Sequence, residues 1–431
     1  MSTITDFDFF GLDQRSLEDP YAFYAAARDR GPVWQDPTNG VYLVTHYDDI
    51  LDVVHRPEVF SSIIAATGPM TPLREPREGE TVSDVIEEFR TQGISFMSDS
   101  LLTKDPPDHA KYRLLVGKLF TPKRLREVED YARGLALELV EEFADRGEVE
   151  FVRAFAVPYP LLVIADLLGV PREDHDEFRK VLRGPDEIEV TRIGNPNEDM
   201  GAMSGEMLEM MAHLFTYFSS YIQDRKDNPR DDIMSELAAA TFPGTDEVPS
   251  VQDLVGLAFI LFGAGQETTV RLFTTGMKVL LEQPELQDWL RHDPARIPNF
   301  VEETLRYDTP VKGLFRVARE DTEIRGVKIP AGSTLMVMWA SGNRDPEKFA
   351  DPDRFDPNRE DAKQTLSFGH GMHYCVGAPL ARFEARLGFE ALLGRMANIR
   401  LDPDRPKPEW LPSFILRGLT QLWLRFDPIS G

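Results

Sequence analysis

The stretch FGHGMHYCVG, residues 368–377, holds the only cysteine of the chain, Cys375. A single cysteine cannot form an intramolecular disulfide, so Cys375 is not a staple. Its thiolate is a nucleophile and a metal ligand. The residue stands just before a predicted helix, whose free N–H groups and dipole favour negative charge on sulfur. Gly369, Gly371 and Gly377 frame it. Glycine is costly unless the backbone needs unusual dihedrals or close approach, so the frame points to a flat or bulky partner lying against the loop. The residue types leave several readings open. Cys375 is an iron-ligating thiolate, or a buried inert thiol. It is a zinc ligand with His370 and His373, at a spacing unlike the usual structural zinc patterns. Or it is a hydrolytic nucleophile with His373, without an identifiable orienting Asn or Asp.

Three further stretches carry chemistry. In AGQETT, residues 264–269, Thr268 lies one turn after Ala264, so its hydroxyl can bond the Ala264 carbonyl and open the helix locally. Such an opening holds water beside a ligand, and Glu267 is an acid in an otherwise apolar helix. EETLR sets Glu303 and Arg306 at i,i+3 on one helical face. The same spacing recurs at Glu87 and Arg90, so it is not diagnostic by itself. DPPDHAKYRLL, residues 105–115, puts His109 and Arg113 on one face, which in isolation is an ordinary solvated surface.

The elements that position these residues are mainly helical. Residues 19–31 read as a helix with an Asp cap, an early Pro and a closing Gly. Residues 41–56 read as a short strand running into a helix. Residues 123–147 and 207–226 are helices, and the Met and aromatic stripe of the second is core. Residues 248–284 form a long helix, apolar almost all round, predicted to run through the interior and to carry Glu267 and Thr268. Residues 317–345 read as strands and turns. A last helix, 377–396, starts just after Cys375. Residues 61–100 and 183–206 read as long irregular segments of the kind used for entry loops. With no repeat, linker or low-complexity run, residues 1–431 are expected to form one mainly α domain with minor β-sheets.

Composition excludes other classes. The net charge of -25 argues against a nucleic-acid partner. No signal peptide and no bilayer-length apolar run is expected, and the near absence of cysteine fits a reducing, cytoplasmic compartment.

FGHGMHYCVGAPLAR resembles the haem-binding signature of the cytochrome P450 family, F-G-x-G-x-H-x-C-x-G followed by A-x-L-A-R, and matches it at every fixed position. AGQETT resembles that family's oxygen-activation motif. The motifs occur in the family's order along essentially the whole chain. The resemblance implies the cytochrome P450 fold, with the long central helix over a thiolate-ligated haem b, and the soluble bacterial type. It implies that Cys375 is the axial ligand, with Phe368, Gly369 and Ala264 against the cofactor. His109, Arg113, Arg316 and His373 then hold the haem propionates. Arg354 is expected to complete a buried cluster with Glu303 and Arg306 that locks the fold.

The implied reaction is a monooxygenation: O2 is activated and a substrate hydroxylated, with Thr268 and Glu267 supplying protons through water. The residues the family places over the haem are Ile260, Ala264, Val311, Leu314, Ile415 and Leu416, so a largely apolar terpenoid, steroid, fatty acid or aromatic is expected. Lys312 is a charge near that pocket with no assigned role. Electrons are expected from a separate iron–sulfur ferredoxin served by a flavin reductase, docking near Lys111, Lys363 and Arg382 with few carboxylates nearby. A haem sensor without turnover and a peroxide-driven hydroxylase are the rival readings.

Overall fold

The computed structural model describes residues 7–70, 73–92, 101–175, 205–242 and 244–430. Its axis is the central helix Val251–Glu282, and the sequence explains why that helix starts where it does. Ser250 accepts from the Asp253 N–H and the Asp253 side chain accepts from the Ser250 N–H, a reciprocal cap for two orphan donors. Asp253 also accepts from the Tyr112 hydroxyl at 2.6 Å, which ties in the helix Asp108–Gly117. Beyond the cap the central helix is apolar on nearly every face and is buried among Ala136-, Phe155- and Phe300-bearing neighbours in one core cluster.

The helix Ala378–Arg395, which begins beside Cys375, packs on the central helix through two reciprocal pairs. A Cβ on Gly276 would stand 2.4 Å from the ring of Phe389, and one on Gly388 would stand 2.5 Å from the ring of Phe273. Each helix gives a glycine where the other gives a ring, and the two rings sit 5.3 Å apart. The backbones approach closely because nothing larger than hydrogen separates them.

Sheets are small and peripheral. The largest has five strands in the order Val33–Gln35, Tyr42–Val44, Thr334–Val337, Leu314–Ala318 and Phe60–Ser61, with one parallel pairing between the second and third. Glu148–Glu150, Trp423–Pro428 and Met396–Leu401 form a three-stranded antiparallel sheet.

The expected helices form at Pro20–Arg28, Tyr47–Val54, Pro122–Ala144 and Gly205–Asp227. Leu214, Phe218 and Ile222 of the last are buried, as its stripe predicts. Residues 61–100 are less irregular than expected: Val82–Gln92 is a helix whose Val82, Val85, Ile86 and Phe89 are buried at helical spacing. The expected irregular segment 183–206 lies almost wholly outside the described residues. Among the described residues no helix is long and apolar enough to cross a membrane.

Candidate functional site

The cysteine loop is closed by its own backbone, with the Cys375 N–H donating to the Phe368 carbonyl at 2.8 Å. Gly369 and Gly371 adopt φ of 64° and 69°, the left-handed region that glycine enters without steric cost. A Cβ on Gly371 would also stand 2.9 Å from the Val54 carbonyl oxygen, so this glycine lets the loop lie on the end of Tyr47–Val54. Gly377 is right-handed, and the nearest atom a Cβ would meet is the Cys375 sulfur at 3.8 Å.

Cys375 is exposed, although protein surrounds its sulfur on most sides. Burial pushes its thiol up, against the N–H groups of Gly377 and Ala378 and the cations Arg113 and Arg382, all of which favour the thiolate. The histidines of this stretch do not converge on the sulfur. His370 Nδ1 meets His55 Nε2 at 2.9 Å, and His373 Nε2 meets the Ser62 hydroxyl at 3.1 Å. No three-ligand zinc set with Cys375 forms.

Beside the sulfur, four cationic or basic groups from three elements come together. His109 and Arg113 stand on the helix Asp108–Gly117, Arg316 on the strand Leu314–Ala318, and His373 on the cysteine loop. The His109 and His373 rings lie 4.3 Å apart. Burial, then Arg316, His109 and Arg113, push His373 down to about 2. Burial and Arg113 push His109 down to about 4. Arg316 is buried, its Nη1 donates to the Phe315 carbonyl at 2.7 Å, and burial lowers it to about 10. The carboxylate that acts on His109 and Arg316 is Asp105, which is itself held by Arg319 at 2.6 Å. The surplus of positive charge that Arg113 and Arg316 bring beside the sulfur is costly alone, and it is complementary to a group carrying carboxylates. The donor set therefore fits a haem and its two propionates.

Across from the loop, the Thr268 hydroxyl donates to the Ala264 carbonyl at 2.7 Å, as the spacing predicts. The helix does not open: Val251–Glu282 stays α-helical through this bond, because a hydroxyl bonding back to i−4 adds to the ladder without displacing it. Gly263 and Ala264 are exposed within this otherwise buried helix, so its surface opens there. Glu267 is mostly buried and meets Arg271 at 3.3 Å. Burial raises the Glu267 carboxyl, and Arg271 opposes the rise.

Glu303 and Arg306 form a fully buried bidentate pair, both bonds 2.8 Å. The expected third member, Arg354, is corrected: its side chain is 72% exposed and lies 4.0 Å from Asp356. Arg359 takes the place, with Nε 3.1 Å from Glu303 and the side chain only 9% exposed. The Asp356 N–H already donates to Glu303 at 2.9 Å, so the chain crosses the carboxylate at Asp356. A turn closed by the Arg359 N–H on the Asp356 carbonyl then brings the later arginine round.

Val311, Leu314, Ile415 and Leu416 gather in one apolar cluster, with Val311 and Leu416 bridged through their backbones. Ile260 and Ala264 stand on the central helix, outside that cluster. Lys312 turns into the protein: its Nζ donates to the Ser413 carbonyl and lies 5.1 Å from the Phe9 ring centre, and burial pushes it well below the usual lysine range.

The expected patch of free cations is also corrected. Lys111 pairs with Asp108 at 3.3 Å, and Arg382 pairs with the buried Glu302 at 2.5 Å while lying over the Phe368 ring. Lys363 is exposed and lines a cleft of about 470 Å³ with Tyr47, His370 and Tyr374. Sequence reasoning missed Arg359 and Arg271. The first had no signal beyond its place in an arginine-containing loop, whereas the i,i+4 spacing of Glu267 and Arg271 was a signal.

The family model for cytochrome P450 matches residues 77–418. The chain is 34% identical over 431 residues to 6-deoxyerythronolide B hydroxylase of Saccharopolyspora erythraea, covering 99% of this chain and 100% of that protein. It is 32% identical over 430 residues to vitamin D(3) 25-hydroxylase of Pseudonocardia autotrophica, covering 98% of each. A substrate-free cytochrome P450 of Mycobacterium marinum has a similar structure, with a TM-score of 0.89, 38% identity, and coverage of 99% of this chain and 100% of that one.

Proposed function

The chain belongs to the cytochrome P450 family and is a monooxygenase of that family, and on this premise we propose that it hydroxylates a largely apolar small molecule with electrons from a separate ferredoxin and flavin reductase. We read residues 1–431 as one such domain, acting in a reducing cytoplasm, which the single cysteine supports. The observation that carries the proposal is the exposed residue Cys375 beside two cations, Arg113 and Arg316, and two neutral imidazoles, His109 and His373.

Haem bound through a thiolate supplies reductive activation of O2 and insertion of one oxygen atom into a C–H bond. The chain's own residues do the rest. Cys375 would hold the iron, and the N–H groups of Gly377 and Ala378 favour its thiolate against the burial that opposes it. Arg113 and Arg316 would pair with the propionates, and His109 and His373 would donate to them. Phe368 and Gly369 would shape the loop that receives the group, and the exposed Ala264 would leave room for it on the central helix. Thr268 holds a proton at its hydroxyl for delivery through water, and Glu267 replenishes it.

Val311, Leu314, Ile415 and Leu416, with Ile260 and Ala264, supply an aliphatic wall suited to a terpenoid, steroid, fatty acid or aromatic. The macrolide and vitamin D hydroxylases among the relatives support a bulky apolar substrate.

The test is the ferrous carbon monoxide difference spectrum of the purified protein. Wild type gives the thiolate-type band and Cys375→Ala loses it; a band that survives the substitution overturns the assignment. Titration with a panel of the four substrate classes gives low-to-high-spin shifts for some members, and a response only to small charged compounds refutes the apolar pocket.

A further inference from the structure

We propose that Arg271 is a positioning residue that latches the Glu267 carboxylate to the segment 413–419, so that the proton-supplying acid and one wall of the pocket move as a unit. This rests on the reading of Glu267 and Thr268 as the proton-supplying pair.

Glu267 Oε1 and Arg271 Nη2 meet at 3.3 Å, with side chains 15% and 3% exposed. Among the described residues each is acted on by no charge but the other. A buried ion pair is weak evidence for stability, since apolar residues of similar volume often serve as well. The second connection of Arg271 is more informative. Its Nη1 donates to the Leu419 carbonyl at 2.9 Å, and the Leu419 N–H reaches the Thr274 hydroxyl of the same helix at 3.4 Å. Next to Leu419, Gly418 leaves the space that the arginine stem fills: a Cβ there would stand 2.4 Å from Arg271 Cδ.

Residues 418–419 are thus held on the central helix by Thr274 and by Arg271, the side chain that also holds Glu267. The same segment carries Ile415 and Leu416. Its other end is tied to residues 310–312, where the Lys312 N–H donates to the Ile415 carbonyl at 2.6 Å and the Arg417 N–H to the Pro310 carbonyl at 2.8 Å. Meanwhile the Thr268 hydroxyl bonds the opposite way along the helix, to Ala264. The acid and the alcohol are held apart, one toward each end of the helix. For Glu267 to pass a proton toward Thr268 it must leave Arg271. A substrate that presses on Ile415 or Leu416 displaces Leu419, and with it the arginine's anchor.

The test uses the haem-loaded enzyme as Arg271→Gln, Arg271→Lys and Gly418→Ala, with Glu267→Gln as reference. The infrared carboxyl band that Glu267→Gln abolishes reports the ionisation of Glu267. Deuterium exchange of the amides 415–419 reports the segment, and the solvent isotope effect and peroxide yield report proton supply. Arg271→Gln raises the Glu267 titration midpoint by about 1–3 pH units, the effect of removing a close opposite charge. It also speeds exchange at 415–419. Arg271→Lys restores the midpoint but not the exchange protection, because an ammonium keeps the charge without the second, forked contact. Gly418→Ala displaces the stem with the charge intact and gives both effects, which decides the matter if Arg271→Gln does not fold.

An unmoved midpoint in Arg271→Gln, or unmoved exchange at 415–419 in Arg271→Gln and Gly418→Ala, overturns the latch. If Glu267→Gln leaves the isotope effect and peroxide yield at wild-type values, the proton-supply reading fails instead, and the infrared and exchange results still decide the latch.

Discussion

Two arginines hold Glu303 and a third, Arg354, was expected to, and the structure ranks what each is worth. Arg306 is fully buried, bonds both carboxylate oxygens, and also donates to the Asn343 and Pro352 carbonyls at 2.9 Å. Arg306→Ala leaves an unpaired buried carboxylate and costs about 3–5 kcal/mol or prevents folding. Arg359→Ala removes one contact to Glu303 and the donor to the Ala350 carbonyl at 2.8 Å. Glu303 keeps Arg306 and the Asp356 N–H, so the loss is smaller, about 2–3 kcal/mol. Arg354→Ala removes an exposed side chain 4.0 Å from its nearest carboxylate, and exposed pairs of that kind contribute about 0–1 kcal/mol. The assay is urea unfolding followed by tryptophan emission. With a slope of about 3 kcal/mol per molar, the midpoint falls by about 0.7–1 M for Arg359→Ala and by less than about 0.3 M for Arg354→Ala. Equal losses for Arg354→Ala and Arg359→Ala would refute the reassignment.

Thr268→Ala is expected to keep consuming reducing equivalents while releasing more peroxide and less product; unchanged coupling removes Thr268 from proton supply. Lys312 is held well below the usual lysine range, so the unfolded chain binds more protons at this site, and stability rises with pH from the folded value up to the ordinary lysine value. Lys312→Met flattens that rise in urea midpoints measured across neutral to alkaline pH, and an unaltered slope shows that Lys312 is charged in the fold. Lys363→Glu is expected to slow ferredoxin-driven reduction without changing substrate titrations, and rising salt slows the wild-type rate; rates indifferent to both place the donor elsewhere.

What the sequence disclosed depended on how local each feature is. The turn dihedrals at Gly369 and Gly371, the Thr268 back-bond and the Glu303–Arg306 pair are set within a few residues, and each appears where its spacing puts it. The same spacing cannot report burial: Glu87–Arg90 also pairs, at 2.6 Å, but on the surface. Arg354 and Arg359 lie in one loop, and only the crossing of Asp356 over Glu303 decides which turns inward. The partners of Lys111 and Arg382 follow the same logic. The i,i+3 carboxylate Asp108 was readable from the sequence, whereas Glu302 reaches Arg382 only through packing of separate helices. Burial of Lys312 depends on Phe9 and Ser413, at the two ends of the chain.

The exchanged glycine and phenylalanine contacts, Gly276 with Phe389 and Gly388 with Phe273, act as a gauge block. One helix carries Thr268 and the other starts beside Cys375, so the spacing between the two helices is machined by ring thickness. Contact surfaces this tight have no slack to share. On the proposed function, divergence can then be divided between two trades: the segments near 311–314 and 413–416 would be free to be recut for new substrates, while the gauge would keep Thr268 and Cys375 in calibration. A single added methyl at Gly276 or Gly388 would reset that calibration for every substrate at once.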